Sequence, residues 1–319
     1  MPAKFQVHEI ELPAGAAGQR LDQALVASLP QYSRARLQRW IASGAVLLAG
    51  RKAKASERLW GGERVVVRAE FLPDESVAPE AMALRIVHED VALLVIDKPA
   101  GMVVHPGAGN RAHTLQNALL AHDPDLARVP RAGLVHRLDK DTSGLLVVAR
   151  TPEAHHALVR ELQERRIERT YLALCLGKPT AGGTVDEPIG RHRTQRTRMT
   201  VRSDGRPAVT HYRIEERFRG HTLLRVQLET GRTHQIRVHL AHIGLPIAGD
   251  PAYGGRRRQV AGASSEVQSA LQAFRRQALH AQRLALSQPE TGERLAFEAP
   301  VPEDLRALLA VLRADARAA

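Results

Sequence analysis

The distribution of apolar residues along the chain predicts a protein in which strands outnumber helices. Five consecutive apolar residues at 145–149 predict a buried strand. The segments 209–218 and 222–230 have the apolar and polar positions of an antiparallel pair. The regular alternation of strand and helix that a doubly wound sheet requires is absent from the sequence. We therefore predict an α+β fold built on a large mixed or antiparallel sheet.

The segment 18–68 has a different pattern, which predicts a small separate module. Apolar residues after residue 20 have helical spacing and predict a first helix. A second helix is predicted between Ser33, a good N-cap, and Gly44, a good C-cap. Two short strands around turns at Gly50 and at 61–62 complete the module. Because its second helix carries arginines outside its apolar face, the module has a candidate surface for a polyanionic partner. Its members are Arg34, Arg36, Arg39 and Arg51.

The segment FLPDESVAPEAM, at 71–82, separates this module from the rest of the chain. It contains two prolines and three acidic residues, a composition typical of a linker. We therefore predict two domains: a small α/β module with its N-terminal extension at 1–78, and a larger domain at 79–319.

Charge and composition narrow the class of partner. The net charge of +12 favours a polyanionic partner. Further arginines that could contribute lie in the second domain, namely Arg191, Arg193, Arg196, Arg198 and 256–258. The single cysteine, Cys175, excludes an internal disulfide framework, and no apolar run has the length of a signal peptide or a membrane span. We expect a cytoplasmic protein with a polyanionic partner and no membrane partner.

Charged residues stand directly before the predicted strand at 145–149. In HRLDKDTSGLLVVAR (136–150), Asp139 lies next to Arg137 and Lys140. Nearby positive charge favours the ionised form of a carboxylate, and a carboxylate held in place can attack the anomeric carbon of a sugar. The same residues also fit a structural aspartate in a turn, so the local pattern leaves both interpretations open.

Three long stretches together resemble the RluA/RluD family of pseudouridine synthases. They are HRLDKDTSGLLVVAR, LVIDKPAGMVVHPG (94–107) and TGRTHQIRVHLAHIGLPIAGDPAYGG (230–255). ERTYLAL (168–174) and RQALHAQRL (276–284) extend the resemblance over residues 83–300. The preceding module resembles the S4 RNA-binding domain and places the chain nearer the RluD type, because the RluA type lacks that domain.

The resemblance implies an RNA pseudouridine synthase without a cofactor, acting on uridines in stem-loops of the 23S large-subunit ribosomal RNA. It implies a role for four residues. Asp139 matches the essential aspartate, and Arg137 matches the arginine that helps to displace the target nucleotide. Arg232 matches the arginine paired with the catalytic carboxylate, and Tyr171 matches the aromatic residue stacked on the target base.

Several alternatives remain open from the sequence. The target uridines could belong to other ribosomal or transfer RNAs, the chain could be a non-catalytic RNA-binding or ribosome-assembly protein, or it could be an RNA glycosidase that releases uracil. His234, His239 and His242 lie near Asp250, but their spacing differs from that of a zinc-binding helix. We expect no metal and a monomer.

Overall fold

A computed structural model provides the structure of the protein. It describes residues 5–29, 32, 34–70, 77–107, 110, 112–195, 197–254 and 262–318. No helix within these ranges is both long and apolar enough to cross a membrane.

The N-terminal part forms a four-stranded sheet with two helices. Its elements are β1 (Phe5–Glu11), α1 (Leu21–Ser28), α2 (Arg34–Ser43), β2 (Val46–Leu48), β3 (Arg51–Lys52) and β4 (Arg64–Glu70). The strands are ordered β1-β4-β2-β3. Leu21, Leu25, Leu37 and Ile41 line the helix faces that pack into its own core. The two helices and the short strands are confirmed, whereas β1 falls in a segment that we predicted only as an extension.

The larger part is organised around a nine-stranded sheet. Its first strands are β5 (Ile86–Glu89), β6 (Leu93–Lys98), β7 (Ser143–Ala149), β8 (Glu168–Leu176) and β9 (Gly183–Asp186). It continues with β12 (Val209–Arg217), β13 (His221–Leu228), β14 (Leu279–Ser287) and β15 (Arg294–Glu298). A separate pair is formed by β10 (Ile189–Arg191) and β11 (Met199–Val201).

The order of the large sheet is β5-β6-β7-β14-β8-β13-β12-β9, with β15 paired to β14. The pairing of β7 with β14 is parallel, whereas β12 pairs antiparallel with β13, as predicted. Every residue of β6 and β7 is buried, which explains the uninterrupted apolar run at 145–149. The predicted α+β class with a mixed sheet is confirmed.

Five helices accompany this sheet in the described part of the chain: α3 (Leu115–His122), α4 (Pro152–Gln163), α5 (Gln235–His242), α6 (Ser265–Ala273) and α7 (Glu303–Arg317). From its polar and basic sequence we predict that the segment 256–274 is a loop, and this prediction is wrong for its second half. Ser264 caps α6 by accepting a hydrogen bond from Val267 N, and the Val267 side chain is buried. Residues 256–261 of that predicted loop lie outside the described residues.

The predicted linker can be followed only from residue 77, because 71–76 lie outside the described residues. Val77 is buried in the core of the larger part, and Asn117 Nδ2 donates a hydrogen bond to Ala78 O at 2.7 Å. The division between residues 78 and 79 stays a prediction, but these contacts indicate that a separate C-terminal fragment should retain both residues.

We therefore predict that a fragment of residues 77–319 folds without the N-terminal part. The reason is that the core residues of 12–67 and those of 77–312 form separate clusters. Circular dichroism and thermal unfolding should show a cooperative transition. A fragment that starts at residue 84 serves as a comparison, because it lacks the Val77 and Ala78 contacts and should unfold at a lower temperature. An unfolded 77–319 fragment would contradict the predicted domain division.

Candidate active site

The loop that carries Asp139 is fixed by hydrogen bonds on both sides. Thr142 N donates to Asp139 O at 3.0 Å and closes a turn, while Gln277 Nε2 donates to Thr142 Oγ1 at 3.1 Å. Gly144, which follows with φ +112°, allows the loop to enter β7, because a Cβ there would lie 2.2 Å from Ala281 O. Asp139 is therefore presented from a rigid turn at the start of a buried strand.

Lys98, at the end of β6, is a second anchor of this loop. Its fully buried ammonium donates to Pro99 O at 2.8 Å, Met102 O at 2.9 Å and Lys140 O at 3.0 Å. Burial lowers the pKa of Lys98 to about 7. The three acceptors match the three N–H groups of the protonated form, so Lys98 fixes the peptide that follows Asp139.

Arg237, on α5, is the cation that pairs with Asp139. Its Nη1 lies 2.9 Å from Asp139 Oδ2, and its Nε and Nη2 lie 2.7 and 2.8 Å from the two oxygens of Asp250. Burial works against the charged form of Arg237, but the bonds to Asp250 and the charges of both carboxylates raise its pKa. One oxygen of Asp139 is thus held, and Oδ1 faces away from this bond.

The predicted pairing of Arg232 with Asp139 is therefore wrong. Arg232 precedes α5, and its Nε donates to Pro207 O at 3.1 Å. Arg237 lies within the helix, where its side chain reaches both acidic groups. The signal that could have identified it is its position in the same stretch, TGRTHQIRVH, five residues after Arg232.

A cavity of about 580 Å³ collects the residues singled out from the sequence. Asp139, Arg137, Tyr171 and Arg232 all line it, together with Arg237. They come from the loop before β7, from β8 and from the segment that leads into α5. A cavity of this size lies within the range of small-ligand sites. Two carboxylates, Asp139 and Glu229, line it among several cations, and Glu229 is paired with Arg165 and His211.

Tyr171 lies on the inner wall of the cavity. Only 5% of the residue is exposed, and burial raises the pKa of its hydroxyl, which the nearby Arg169 counteracts. Beneath it, burial lowers the pKa of His136 to about 3, and His136 Nε2 accepts a hydrogen bond from Val147 N at 3.1 Å. His136 is thus a neutral structural residue, whereas Tyr171 presents its ring to the cavity.

His234 is held beside the free oxygen of Asp139. It adopts a left-handed backbone conformation with φ 57° before α5, and its Nε2 lies 3.9 Å from Asp139 Oδ1. Met199 N donates to Tyr253 Oη at 2.8 Å, and Tyr253 Oη lies 2.9 Å from His234 Nδ1. With the Tyr253 proton directed at Nδ1, the neutral imidazole carries its own proton on Nε2, toward Asp139.

The other histidines of the predicted cluster have structural partners. His239 is buried and bonded to Thr210 Oγ1 at 2.8 Å and Glu187 O at 2.9 Å, while Asp250 is occupied by Arg237. Within the described ranges, no group of three or more acidic, histidine or cysteine side chains is arranged to hold a metal ion.

The arginines of the N-terminal module differ in their surroundings. Arg34 Nη2 lies 2.8 Å from Asp22 Oδ2, and Asp22 is completely buried with Arg20 and Gln38 as further donors. Burial opposes ionisation of Asp22, but these donors lower the pKa of its carboxyl. Arg34 therefore has a structural role.

The remaining basic positions predicted to bind RNA differ in exposure. Arg36 is half-buried and Arg39 is exposed, while exposed Arg51 donates to Glu57 Oε1. The arginines at 196 and 256–258 lie outside the described residues.

Comparison with known proteins agrees with this architecture. A sequence model of the RNA pseudouridylate synthase family matches residues 92–242, and the S4 domain matches residues 19–65. The chain is 28% identical to human RNA pseudouridylate synthase domain containing 4, with a TM-score of 0.57 over 72% of this chain and 93% of that one.

Curated relatives resemble the chain over nearly its full length. It is 53% identical to ribosomal large subunit pseudouridine synthase D of Xanthomonas campestris pv. campestris, covering 100% of this chain and 96% of the relative. It is 54% identical to the protein of the same name from Escherichia coli (strain K12), covering 93% and 92%.

The fold, the cavity with Asp139 held by Arg237, and the matched families thus define an RNA-modifying isomerase preceded by an S4 domain. The chain belongs to the RNA pseudouridylate synthase family. The family and the RNA-binding domain predicted from the sequence are both confirmed.

Proposed function

We propose that this protein converts uridine to pseudouridine at specific positions of the large-subunit ribosomal RNA, in stem-loops of the 23S molecule. The names of the relatives that are 52–55% identical support this RNA as the substrate. The observation that carries the reaction is the placement of Asp139 in the cavity, with Oδ2 bonded to Arg237 and Oδ1 beyond hydrogen-bond range of His234.

The reaction rearranges one nucleotide. The N1–C1′ bond of uridine breaks, uracil turns, and C5 bonds to C1′ while C5 loses a proton and N1 gains one. Asp139 Oδ1 acts at the ribose, either by bonding to C1′ or by removing the C2′ proton. Arg237 holds the carboxylate in position, and Tyr171 stacks on the base and accepts or relays the C5 proton. Because a base inside a helix cannot reach the cavity, the uridine must leave its stack, which is the role we assign to Arg137.

The proposal includes the setting of the enzyme. RNA or a ribosomal precursor particle is the partner, the enzyme works as a monomer in the cytoplasm, and DNA is not a substrate. The net charge of +12 and the S4 domain support a nucleic-acid partner that is bound through phosphates.

A product assay tests the function directly. The purified protein is incubated with unmodified 23S, 16S and transfer RNA, and digested nucleosides are separated by mass spectrometry with chemical labelling of pseudouridine. We expect pseudouridine at discrete 23S positions. Pseudouridine in transfer RNA alone would mean that transfer RNA, and not 23S RNA, is the substrate. Free uracil would indicate a glycosidase. RNA that is bound but unchanged would indicate a non-catalytic binding protein.

Substitutions of Tyr171 separate its two proposed roles. Tyr171→Phe keeps the stacking surface, which is worth about 1–3 kcal/mol per base, and removes the hydroxyl. If the hydroxyl moves the C5 proton, single-turnover rates should collapse with RNA affinity unchanged. If Tyr171 only stacks on the base, Tyr171→Phe should have nearly the wild-type single-turnover rate and Tyr171→Ala should have a much lower rate. Small and equal effects of both would remove Tyr171 from the active site.

The S4 domain should contribute to the salt dependence of RNA binding. Each phosphate contact changes the slope of log K against log salt by roughly 0.7–0.9. Arg36→Gln combined with Arg39→Gln should therefore flatten the slope by about one and a half units, measured by fluorescence anisotropy at several salt concentrations. Arg34 is kept because it pairs with buried Asp22. Arg306→Gln combined with Arg317→Gln, both exposed on α7, is the charge-matched control. An unchanged slope in the Arg36/Arg39 double variant would contradict binding through α2.

A further inference from the structure

Arg169 is a buried cation in the wall of the cavity. It lies on β8, two residues before Tyr171, so both side chains are on one face of the strand. Only 7% of the residue is exposed, and it lines the cavity. Its Nε has no hydrogen-bond partner, and its Nη2 is 3.5 Å from Leu228 O.

This guanidinium also lacks a counter-charge. Arg169 forms no ion pair with a carboxylate among the residues that the structure describes. Arg237, equally buried in the same cavity, shows the usual arrangement, because it contacts both Asp139 and Asp250. A buried charge without a partner is strongly unfavourable in a protein interior. An anionic or strongly polar ligand in the cavity would supply the hydrogen-bond acceptor and the negative charge that Arg169 lacks.

The room around Arg169 fits such a ligand. A Cβ at Gly231 would lie 3.0 Å from Arg169 Nη1, so the absence of a side chain there leaves space at the guanidinium. Two exposed arginines of the cavity lining, Arg131 and Arg165, are placed for phosphate groups of the RNA backbone. Arg169 is instead buried next to Tyr171, the residue proposed to stack on the base, and it therefore faces the base.

We propose that Arg169 is a further catalytic residue, which hydrogen-bonds a carbonyl oxygen of the target uracil and stabilises the uracil anion after the N1–C1′ bond breaks. This inference rests on the proposed function. The electron pair of the broken bond remains on uracil, where it is shared by N1 and the carbonyl oxygens. A fixed guanidinium at an oxygen binds this anion more strongly than neutral uracil, which lowers the barrier to bond cleavage.

The reaction needs no additional reactant to balance its protons and electrons. Asp139 takes up C1′ or the C2′ proton, and uracil carries the negative charge while it turns. When C5 attacks C1′, the Asp139–C1′ bond breaks or, in the other route, Asp139 returns the proton to C2′, so the carboxylate is regenerated. The C5 proton then leaves and N1 is protonated. Arg169 keeps all its protons throughout and contributes charge and hydrogen bonds only.

The test compares Arg169→Met and Arg169→Lys with Arg283→Met in the full-length protein. Arg283 is exposed on the neighbouring strand β14 and does not line the cavity. We expect Arg169→Met to lower the single-turnover rate by about 10²–10³, the usual effect of removing a donor to a developing anion, with RNA affinity within about twofold. Arg169→Lys keeps the positive charge but lacks the paired N–H donors of the guanidinium, so its single-turnover rate should be intermediate. Arg283→Met should have the wild-type rate.

Thermal unfolding separates this role from a structural one. Because Arg169 is an unpaired buried charge, Arg169→Met should leave the Tm unchanged or raise it. A lower Tm for Arg169→Met, or full activity of that variant, would overturn the proposal. If the wild type itself made no pseudouridine, the proposed function would fail, which is a separate outcome.

A substrate with a better leaving group provides a second readout. Fluorine at C5 withdraws electrons and stabilises the departing anion, so the loss caused by Arg169→Met should shrink several-fold on RNA with 5-fluorouridine at the target. Because C5 of this base carries fluorine and no proton, the C5-linked product takes up water at C6 instead of losing a C5 proton, and this rearranged, hydrated nucleoside is measured by mass spectrometry. An equal loss on both substrates would contradict anion stabilisation. A third RNA carries uridine with deuterium at C5 of the target. An isotope effect on the rate that appears only in Arg169→Met would place the defect in removal of the C5 proton and would also overturn the proposal.

Discussion

Replacing Asp139 with asparagine is expected to reduce pseudouridine formation by about 10⁴-fold or more, the scale observed when an enzyme loses its nucleophile or base. Asparagine keeps the shape of the side chain, and its amide oxygen can still accept the bond from Arg237 at 2.9 Å. The variant lacks a carboxylate oxygen that can bond to C1′ or remove the C2′ proton. Single-turnover assays on a 23S stem-loop measure the loss, while RNA affinity and Tm should stay near the wild-type values.

Asp141→Asn is the matched control, because Asp141 lies in the same loop without a contact to Arg237. It should retain most of the activity. Asparagine can deamidate to aspartate, so the mass of the Asp139→Asn protein must be verified before and after the assay. Activity above a trace in protein of the correct mass would refute the assignment of Asp139.

Local sequence patterns were sufficient to predict the elements whose buried residues follow one another, or alternate, along a short segment. The apolar run at 145–149 predicted β7, and every residue of that strand is buried. The pair β12 and β13 followed from alternation along adjacent segments. Strand β1 was missed because its partner, β4, begins more than fifty residues later, and its own sequence does not indicate that pairing. Helix α6 was missed because its one fully buried residue, Val267, gives a weak apolar face.

The sequence predicted four residues that line one cavity, but it did not predict their pairings. Asp139, Arg137, Tyr171 and Arg232 share one cavity, as the sequence suggested. Which arginine reaches the carboxylate depends on where α5 begins, and the left-handed residue His234 places that start after Arg232. A turn of this kind is not visible in the spacing of side chains.

Contacts across the fold also explain two arginines that the sequence could not assign. Arg34 was predicted to bind RNA, but its guanidinium pairs with buried Asp22 on α1. Arg169 belongs to the quoted stretch ERTYLAL, yet only the arrangement of β8 within the sheet reveals that its guanidinium is buried without a counter-charge. In both cases the deciding fact is the presence or absence of a carboxylate far away in the chain.

Replacing Arg237 with glutamine is expected to damage both stability and activity. Asp250, whose side chain is completely buried, would lose its cation, and breaking a buried pair in this way costs about 3–5 kcal/mol. Asp139 would lose the bond that fixes Oδ2, and misplacement of a reacting group by about 1 Å can cost about 10²-fold in rate. Denaturant unfolding and single-turnover assays measure the two effects. Arg232→Gln should have little effect on stability, because Arg232 Nε contacts only Pro207 O.

A double variant separates the two roles of Arg237. Arg237→Met with Asp250→Leu replaces the buried charges by apolar groups, and such replacements are often neutral or stabilising. The free energy of unfolding should therefore recover toward the wild-type value, whereas the rate should stay low, because Asp139 still lacks its partner. Recovery of both quantities would mean that the contact between Arg237 and Asp139 is dispensable and that Arg237 only neutralises Asp250. Recovery of stability alone would assign to Arg237 the positioning of the carboxylate.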